Sequence, residues 1–77
     1  MSVRAAIAGS LQETRKFVGL SNMELVARTD VSRWRIIQAE LGNITLTDDE
    51  MVKVNNALRE YAREKINELQ RFLDIFE

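Results

Sequence analysis

One stretch of the chain, residues 21–42, carries the start and stop signals of two short helices joined by a tight turn. Ser21 and Glu24 fit the S-x-x-E capping box, in which each side chain accepts a hydrogen bond from the backbone N–H of the other residue. Ser32 can cap the second helix with its hydroxyl, and Gly42 can end it because glycine takes the left-handed conformation at little cost. The pattern predicts one helix over about residues 22–29 and another over about residues 33–41.

The rest of the chain also has a helical composition. It contains no proline and only three glycines, so few residues interrupt a helix. Apolar spacing predicts a first helix over about residues 3–18, and Thr47 with Glu50 forms a second capping box that begins a last helix. We therefore expect an all-α fold: a compact domain of about four to five helices with a long C-terminal helix. The predicted units are the domain, residues 1–61, and a C-terminal helix extension, residues 62–77.

The apolar positions of these helices predict which side chains form the core. Arg15 and Lys16 are charged and are expected to face outward. Asn55 lies at the edge of the apolar stripe of the last helix, where its amide is either half-exposed or buried with hydrogen-bond partners. The predicted core residues are Leu11, Phe17, Val18, Leu20, Leu25, Val31, Ile36, Ala39, Met51, Val54 and Leu58, with Ile44 and Leu46 from the connector.

The residue types that are absent exclude several classes of function. With no cysteine and no histidine, the chain has no disulfide, no thiolate chemistry and no zinc site of the usual kind. No carboxylate pair or glycine-rich phosphate loop suggests an active site, and helix capping explains the acidic run at residues 48–50. We expect a protein that is not an enzyme, has no cofactor or metal, does not span a membrane and lies in the cytoplasm.

The net charge of −1 does not by itself indicate a nucleic-acid binder, but the charge is unevenly distributed. Residues 1–42 contain six basic and four acidic residues, a net charge of +2, and residues 43–77 contain five and eight, a net charge of −3. The helix pair lies in the positive half, which favours nucleic-acid binding, although a difference of this size is also compatible with ordinary surface variation.

The residues of the helix pair follow a shared pattern, roughly G-L-S-Q-x-x-L-A-x-x-x-G-V-S-x-x-x-I-x-x-x-E-x-G. In register with it are Gly19, Leu20, Ser21, Leu25, Val31, Ser32, Ile36, Glu40 and Gly42. At these residues the chain resembles the Cro/cI-type (XRE) family of helix-turn-helix DNA-binding regulators, over about residues 11–58. Asn22 replaces a common Gln, Val26 a small Ala, and Asp30 the Gly of the turn. Because Asp tolerates positive φ better than most residues, we expect the turn to form at some strain.

The resemblance implies that the second helix of the pair enters the major groove of DNA. Five residues, Ser32, Arg33, Trp34, Ile37 and Gln38, form its outward side, which is called the recognition surface below. Arginine can bond guanine, and glutamine adenine, through two parallel hydrogen bonds, whereas the alternative role of the arginines is solubility. The candidate DNA-binding residues are those of the recognition surface, Arg28 and Arg35 near the backbone phosphates, and Asn22.

Trp34 and Ile37 are large apolar residues at positions that the pattern leaves exposed. Trp34 can pack on a thymine methyl or a sugar and donate its indole N–H to a phosphate. It can instead fold over the start of its own helix or meet the C-terminal helix, or it can anchor a protein partner as an interface hot spot. The sequence leaves these three roles open.

The apolar stripe of the last helix continues beyond the domain that the helix closes. A helix over residues 48–77 is more than about 40 Å long, which a domain of this size cannot cover. Pairing of two copies would bury the stripe. The alternatives are a break near Arg63 that folds residues 64–77 back onto the first helix, and a different partner or disorder. The candidate dimerisation residues are Ile66, Leu69, Phe72, Leu73 and Phe76.

Together these observations predict a sequence-specific DNA-binding transcriptional regulator. It would act as a homodimeric repressor on a palindromic operator whose half-sites lie one helical turn, ~34 Å, apart. Its small size resembles that of phage or mobile-element repressors, controller proteins and antitoxins. The alternative is a protein-interaction module on the same fold, which docks a regulator through Trp34 and Ile37 or through the C-terminal helix.

Overall fold

The computed structural model describes residues 11–76, which form four α-helices and contain no β-strand. This confirms the predicted all-α fold with a long C-terminal helix. The part of the first predicted helix that precedes residue 11 lies outside the described residues. The helices are α1 (Leu11–Val18), α2 (Asn22–Thr29), α3 (Arg33–Glu40) and α4 (Asp48–Phe76).

The cap and the turn of α2 form, but within residues 11–76 only one of the two hydrogen bonds of the predicted capping box is present. The Ser21 hydroxyl accepts a hydrogen bond from the Glu24 N–H at 3.1 Å, while the Glu24 carboxylate accepts one from Arg28. Asp30 adopts φ 58° and ψ 11°, the left-handed conformation expected of a residue that stands in for glycine. Its N–H donates to the Val26 carbonyl at 3.1 Å, so α2 stops here and the chain turns into α3.

α3 and α4 also begin where their capping patterns predict. The Ser32 hydroxyl accepts a hydrogen bond from the Arg35 N–H at 3.2 Å, and Gly42, just after α3, has a φ of +81°. At α4 the Thr47 N–H donates to the Glu50 carboxylate at 2.8 Å, and the Glu50 N–H donates to the Thr47 hydroxyl at 3.2 Å. Both hydrogen bonds of this capping box are therefore present.

The core lies among all four helices, because α2 packs against α3 and α4, and α1 packs against the same two helices. Leu25, Ile36 and Val54 are completely buried. Phe17 is 90% exposed, so its predicted place in the core is wrong; it lies about 120° around α1 from Leu11, which is buried. The buried core residues are Leu11, Leu20, Leu25, Val31, Ile36, Leu46, Val54, Ala57 and Leu58, and Val18, Val26, Ala39, Met51 and Tyr61 pack against them.

Arg15 is buried, so the prediction that it faces outward is wrong. It lies on the same face of α1 as Leu11, and its guanidinium donates to the Glu40 carboxylate at the end of α3, from Nε at 2.7 Å and from Nη2 at 3.3 Å. Nη1 donates to the Leu20 carbonyl at 2.9 Å. A buried cation requires such partners, and this ion pair ties α1 to α3. Lys16 is exposed, as predicted.

α4 is one continuous helix of 29 residues, so the alternative in which a break near Arg63 folds its end back is wrong. Its buried residues, Val54, Ala57 and Leu58, all lie in its first half, and residues 63–76 are all exposed. Asn55 is half-buried, and its buried Oδ1 accepts no hydrogen bond from residues 11–76. None of the four described helices is both long enough and apolar enough to cross a membrane.

Candidate nucleic-acid interface

The recognition surface starts at the N-terminus of α3, which the turn at Asp30 and the cap at Ser32 hold in place. Ile36 is completely buried and so fixes which side of α3 faces the core. The structure places all five predicted residues on the remaining sides of this helix start and its first turns. Ser32, Arg33 and Trp34 are exposed, and Ile37 and Gln38 are half-buried.

Arg33 is the cation of this surface that is available to a ligand. It is exposed, and within the described part of the chain its side chain forms no ion pair or hydrogen bond. The first turn of α3 contains no acidic residue that would compete for the guanidinium. Arg33 can therefore offer two parallel N–H donors to a guanine edge or a phosphate.

Arg35, by contrast, is held by Glu50 at the start of α4. Its Nε and Nη2 donate to the two carboxylate oxygens of Glu50 at 2.5 and 2.8 Å. The hydrogen bond from Arg35, aided by the backbone N–H of Thr47, lowers the pKa of Glu50 from 4.5 to about 2, and the same pairing raises the pKa of Arg35. The predicted phosphate contact of Arg35 would have to share or break this bidentate pair.

Arg28 is held between α2 and α4. Its guanidinium bonds Glu24 at 3.1 Å and Glu64 at 2.9 Å, and its central carbon lies 5.2 Å from the centre of the Tyr61 ring. The hydrogen bonds to Glu24 and Glu64 raise the pKa of Arg28. Arg28 thus braces α2 against α4 instead of standing free for a phosphate. Asn22 is half-buried at the first position of α2.

Gln38 has one of its two amide atoms occupied. Its carbonyl oxygen accepts a hydrogen bond from the Asn43 side-chain amide at 2.8 Å. Its own NH₂ group remains available as a donor. Bidentate contact of Gln38 with adenine would use both atoms and would require this oxygen to leave Asn43.

The outer side of α3 is more apolar than the sequence pattern predicts. Trp34 is 61% exposed, so it does not pack over the start of α3 or against α4 as one alternative required. Leu41, which is not among the predicted site residues, is 63% exposed. It follows Trp34 by seven positions and Ile37 by four, and this spacing is the signal that could have placed all three on one side of the helix.

A surface groove lies between α2 and α4 beside Arg28. Three acidic and three basic side chains line it, so it offers no excess of either charge to an ion or an anionic ligand. Its lining residues are Glu24, Arg28, Tyr61, Glu64, Lys65, Asn67, Glu68 and Arg71. Within residues 11–76 no group of three or more acidic side chains is arranged to hold a metal ion.

The five candidate dimerisation residues all lie exposed on the second half of α4. Their exposed fractions range from 50% at Leu73 to 73% at Phe76. The rings of Phe72 and Phe76 contact each other, with centroids 4.7 Å apart. This contact leaves most of both rings accessible, so a continuous apolar face extends beyond the core.

Comparison of this chain with protein-family models, curated proteins and solved structures finds no match. The described residues define the class of the fold, an all-α helix-turn-helix domain with a long C-terminal helix. The likeness to the Cro/cI-type family therefore depends on the residues quoted from the chain itself, and membership of that family stays a prediction.

Proposed function

We propose that this chain is a sequence-specific DNA-binding transcriptional regulator of the Cro/cI type, which acts as a homodimeric repressor on a palindromic operator in the cytoplasm. The observation that carries the proposal is Arg33, an exposed arginine that has no partner among residues 11–76 and lies at the capped start of the second helix of a helix-turn-helix. In such motifs this is the part of the helix that contacts base edges. Occupancy of the operator would exclude polymerase.

Different hydrogen-bond donors at the start of α3 would contact the bases and the backbone of DNA. Arg33 would contact a guanine edge, and Ser32, whose oxygen already accepts the Arg35 N–H, still has its O–H to donate to a phosphate. The N-terminus of α3 adds a favourable dipole for that phosphate. Trp34 would pack on a thymine methyl or a sugar beside these contacts.

The ion pairs of Arg28 and Arg35 reduce the electrostatic contribution to DNA affinity. Because Arg28 and Arg35 are already neutralised by carboxylates, DNA binding would release fewer counterions than the number of arginines suggests. We therefore expect a shallow salt dependence, with a slope of roughly −0.9 for each phosphate that a lysine or arginine neutralises. Affinity would then depend strongly on two copies binding together.

The proposal is tested by selecting random duplex DNA with the full-length protein at physiological salt. A palindrome should be recovered, and Arg33→Ala should weaken binding to it by ~1–3 kcal/mol and relax the preference at one base pair. Arg59→Ala is the matched control, since Arg59 is an exposed arginine on α4 and not on α3. A pool without a common sequence, or equal effects of the two substitutions, would contradict the proposal.

A second candidate function is favoured by the exposed apolar side of α3. Trp34 and Leu41 are each more than 60% exposed, and large aromatic anchors of this kind are typical of protein-interaction hot spots. A protein-interaction module on this fold would bind a regulator through Trp34 and Ile37, and it would show almost no DNA affinity at any salt concentration. In that case Trp34→Ala should abolish partner binding, whereas Phe17→Ala, which removes an exposed aromatic residue on α1, should not.

A further inference from the structure

The apolar face on the second half of α4 has the spacing of a two-stranded coiled coil. Its residues follow one another in steps of four and three, which is the heptad pattern in which positions a and d face a partner helix. Ile66 and Leu73 occupy the a positions, and Ala62, Leu69 and Phe76 occupy the d positions. Apart from Ala62, which is half-buried, these side chains are all at least half-exposed.

We propose that residues 62–76 of α4 pair with the same residues of a second copy in a parallel, in-register coiled coil. This inference rests on the proposed function, and it specifies how the two copies of that homodimer pair. At their exposed fractions, the five dimerisation residues offer about 600 Å² per copy, so these residues of a pair could bury at most about 1,200 Å², which is the lower limit for a stable interface. A second copy supplies a face of matching length and polarity.

The parallel orientation follows from the numbers of a and d positions. In a parallel pair each position meets its own counterpart, so all five layers are apolar. An antiparallel pair sets a against d, and this stripe has three d positions but only two apolar a positions. The third d position would have to face Arg59, the preceding a position, or lie outside the paired region. Among parallel coiled coils, a β-branched residue at a with leucine at d, as at Ile66 and Leu69, favours two strands over three or four.

The apolar residues of this coiled-coil face lie on a different side of α4 from the residues that the core buries, so two domains can be attached to one coiled coil. Ala62 follows Val54 by eight positions, so the stripe is rotated by about 80° around α4 from the face that the core buries. A partner helix would therefore lie beside α4 without displacing the core. In a parallel pair the two domains would lie at the same end of the coiled coil and on opposite sides of it.

Cysteine crosslinking tests this arrangement cleanly, because the natural chain contains no cysteine. Ala62→Cys introduces a thiol at a d position, where a parallel in-register pair brings the two Cα atoms within disulfide range. Under mild oxidation most of this full-length variant should migrate as a covalent dimer. Arg71→Cys is the control, since position 71 faces away from the pairing face at f and should stay largely uncrosslinked. Leu69→Cys, at the next d position, decides the result if Ala62→Cys loses helical circular dichroism.

Each outcome supports or overturns the pairing. A sedimenting dimer with crosslinking at positions 62 or 69, but not at position 71, supports it. A monomeric natural chain, a dimer that does not crosslink at the d positions, or equal crosslinking at position 71 overturns it. The DNA selection tests the proposed function separately. Crosslinking without a recovered operator would support the pairing and contradict the proposed function. A recovered operator without crosslinking would support the proposed function and contradict the pairing.

Discussion

Breaking the buried ion pair between Arg15 and Glu40 should strongly destabilise this domain. The two side chains are only 10% and 5% exposed, and Arg15 makes two hydrogen bonds to Glu40. Glu40→Ala would leave the arginine charge buried with only the Leu20 carbonyl as an acceptor. Removing one partner of a buried pair costs ~3–5 kcal/mol. Small domains have a total stability of only ~5–15 kcal/mol, so this loss would bring the domain close to unfolding.

The assay is urea unfolding followed by helical circular dichroism, with the midpoint compared between variants. Glu68→Ala is the control, because the Lys65–Glu68 pair is exposed and separated by 3.6 Å, and its loss should cost no more than ~1 kcal/mol. Combining Arg15→Met with Glu40→Leu should restore most of the stability, since apolar pairs of similar volume often replace buried ion pairs without loss. A Glu40→Ala variant that unfolds at the same urea concentration as Glu68→Ala would refute the reasoning.

Three further predictions concern the turn, the start of α4 and its end. Asp30→Gly should stabilise the domain by ~0.5–1 kcal/mol in urea unfolding, because it removes the left-handed strain at φ 58°; a loss of stability would contradict this. The pKa of Glu50 is lowered to about 2, so its pairing stabilises the native state above pH 4.5 and is lost as the pH falls towards 2. Thermal unfolding of Glu50→Gln should accordingly vary less over that acid range, and an unchanged pH profile would argue against the pairing. Ending the chain after Arg63 should leave folded monomers with weak DNA binding, which sedimentation and a binding titration would check; a truncated dimer would contradict it.

The sequence predicted the features that depend on neighbouring residues. The caps at Ser21, Ser32 and Thr47 are each completed within three positions along the chain, so local pattern was sufficient. The left-handed Asp30 was predicted from the resemblance, because Asp30 stands where the family pattern has the glycine of the turn. Helix bounds followed from these signals to within about one residue.

The errors concern contacts between residues that are distant in sequence. Arg15 was expected in solvent because arginine is rarely buried, and its partner Glu40 lies 25 positions away. Phe17 was expected in the core because it is large and apolar, but the packing of α1 turns it outward. The partner of Arg35, Glu50, is likewise 15 positions away. The sequence therefore could not show which arginines are already paired with carboxylates.

In the proposed pair, the long exposed end of α4 would make folding depend on concentration. Residues 63–76 continue from the buried first half of α4, but they bury no side chain themselves, and within the described chain Glu64 supplies their one ion pair to another helix. Pairing of two copies would therefore add to the stability of this part of the helix. The helix content should rise with protein concentration, and the melting temperature should rise with it. In a cell, the number of copies would set how much of the chain is fully folded.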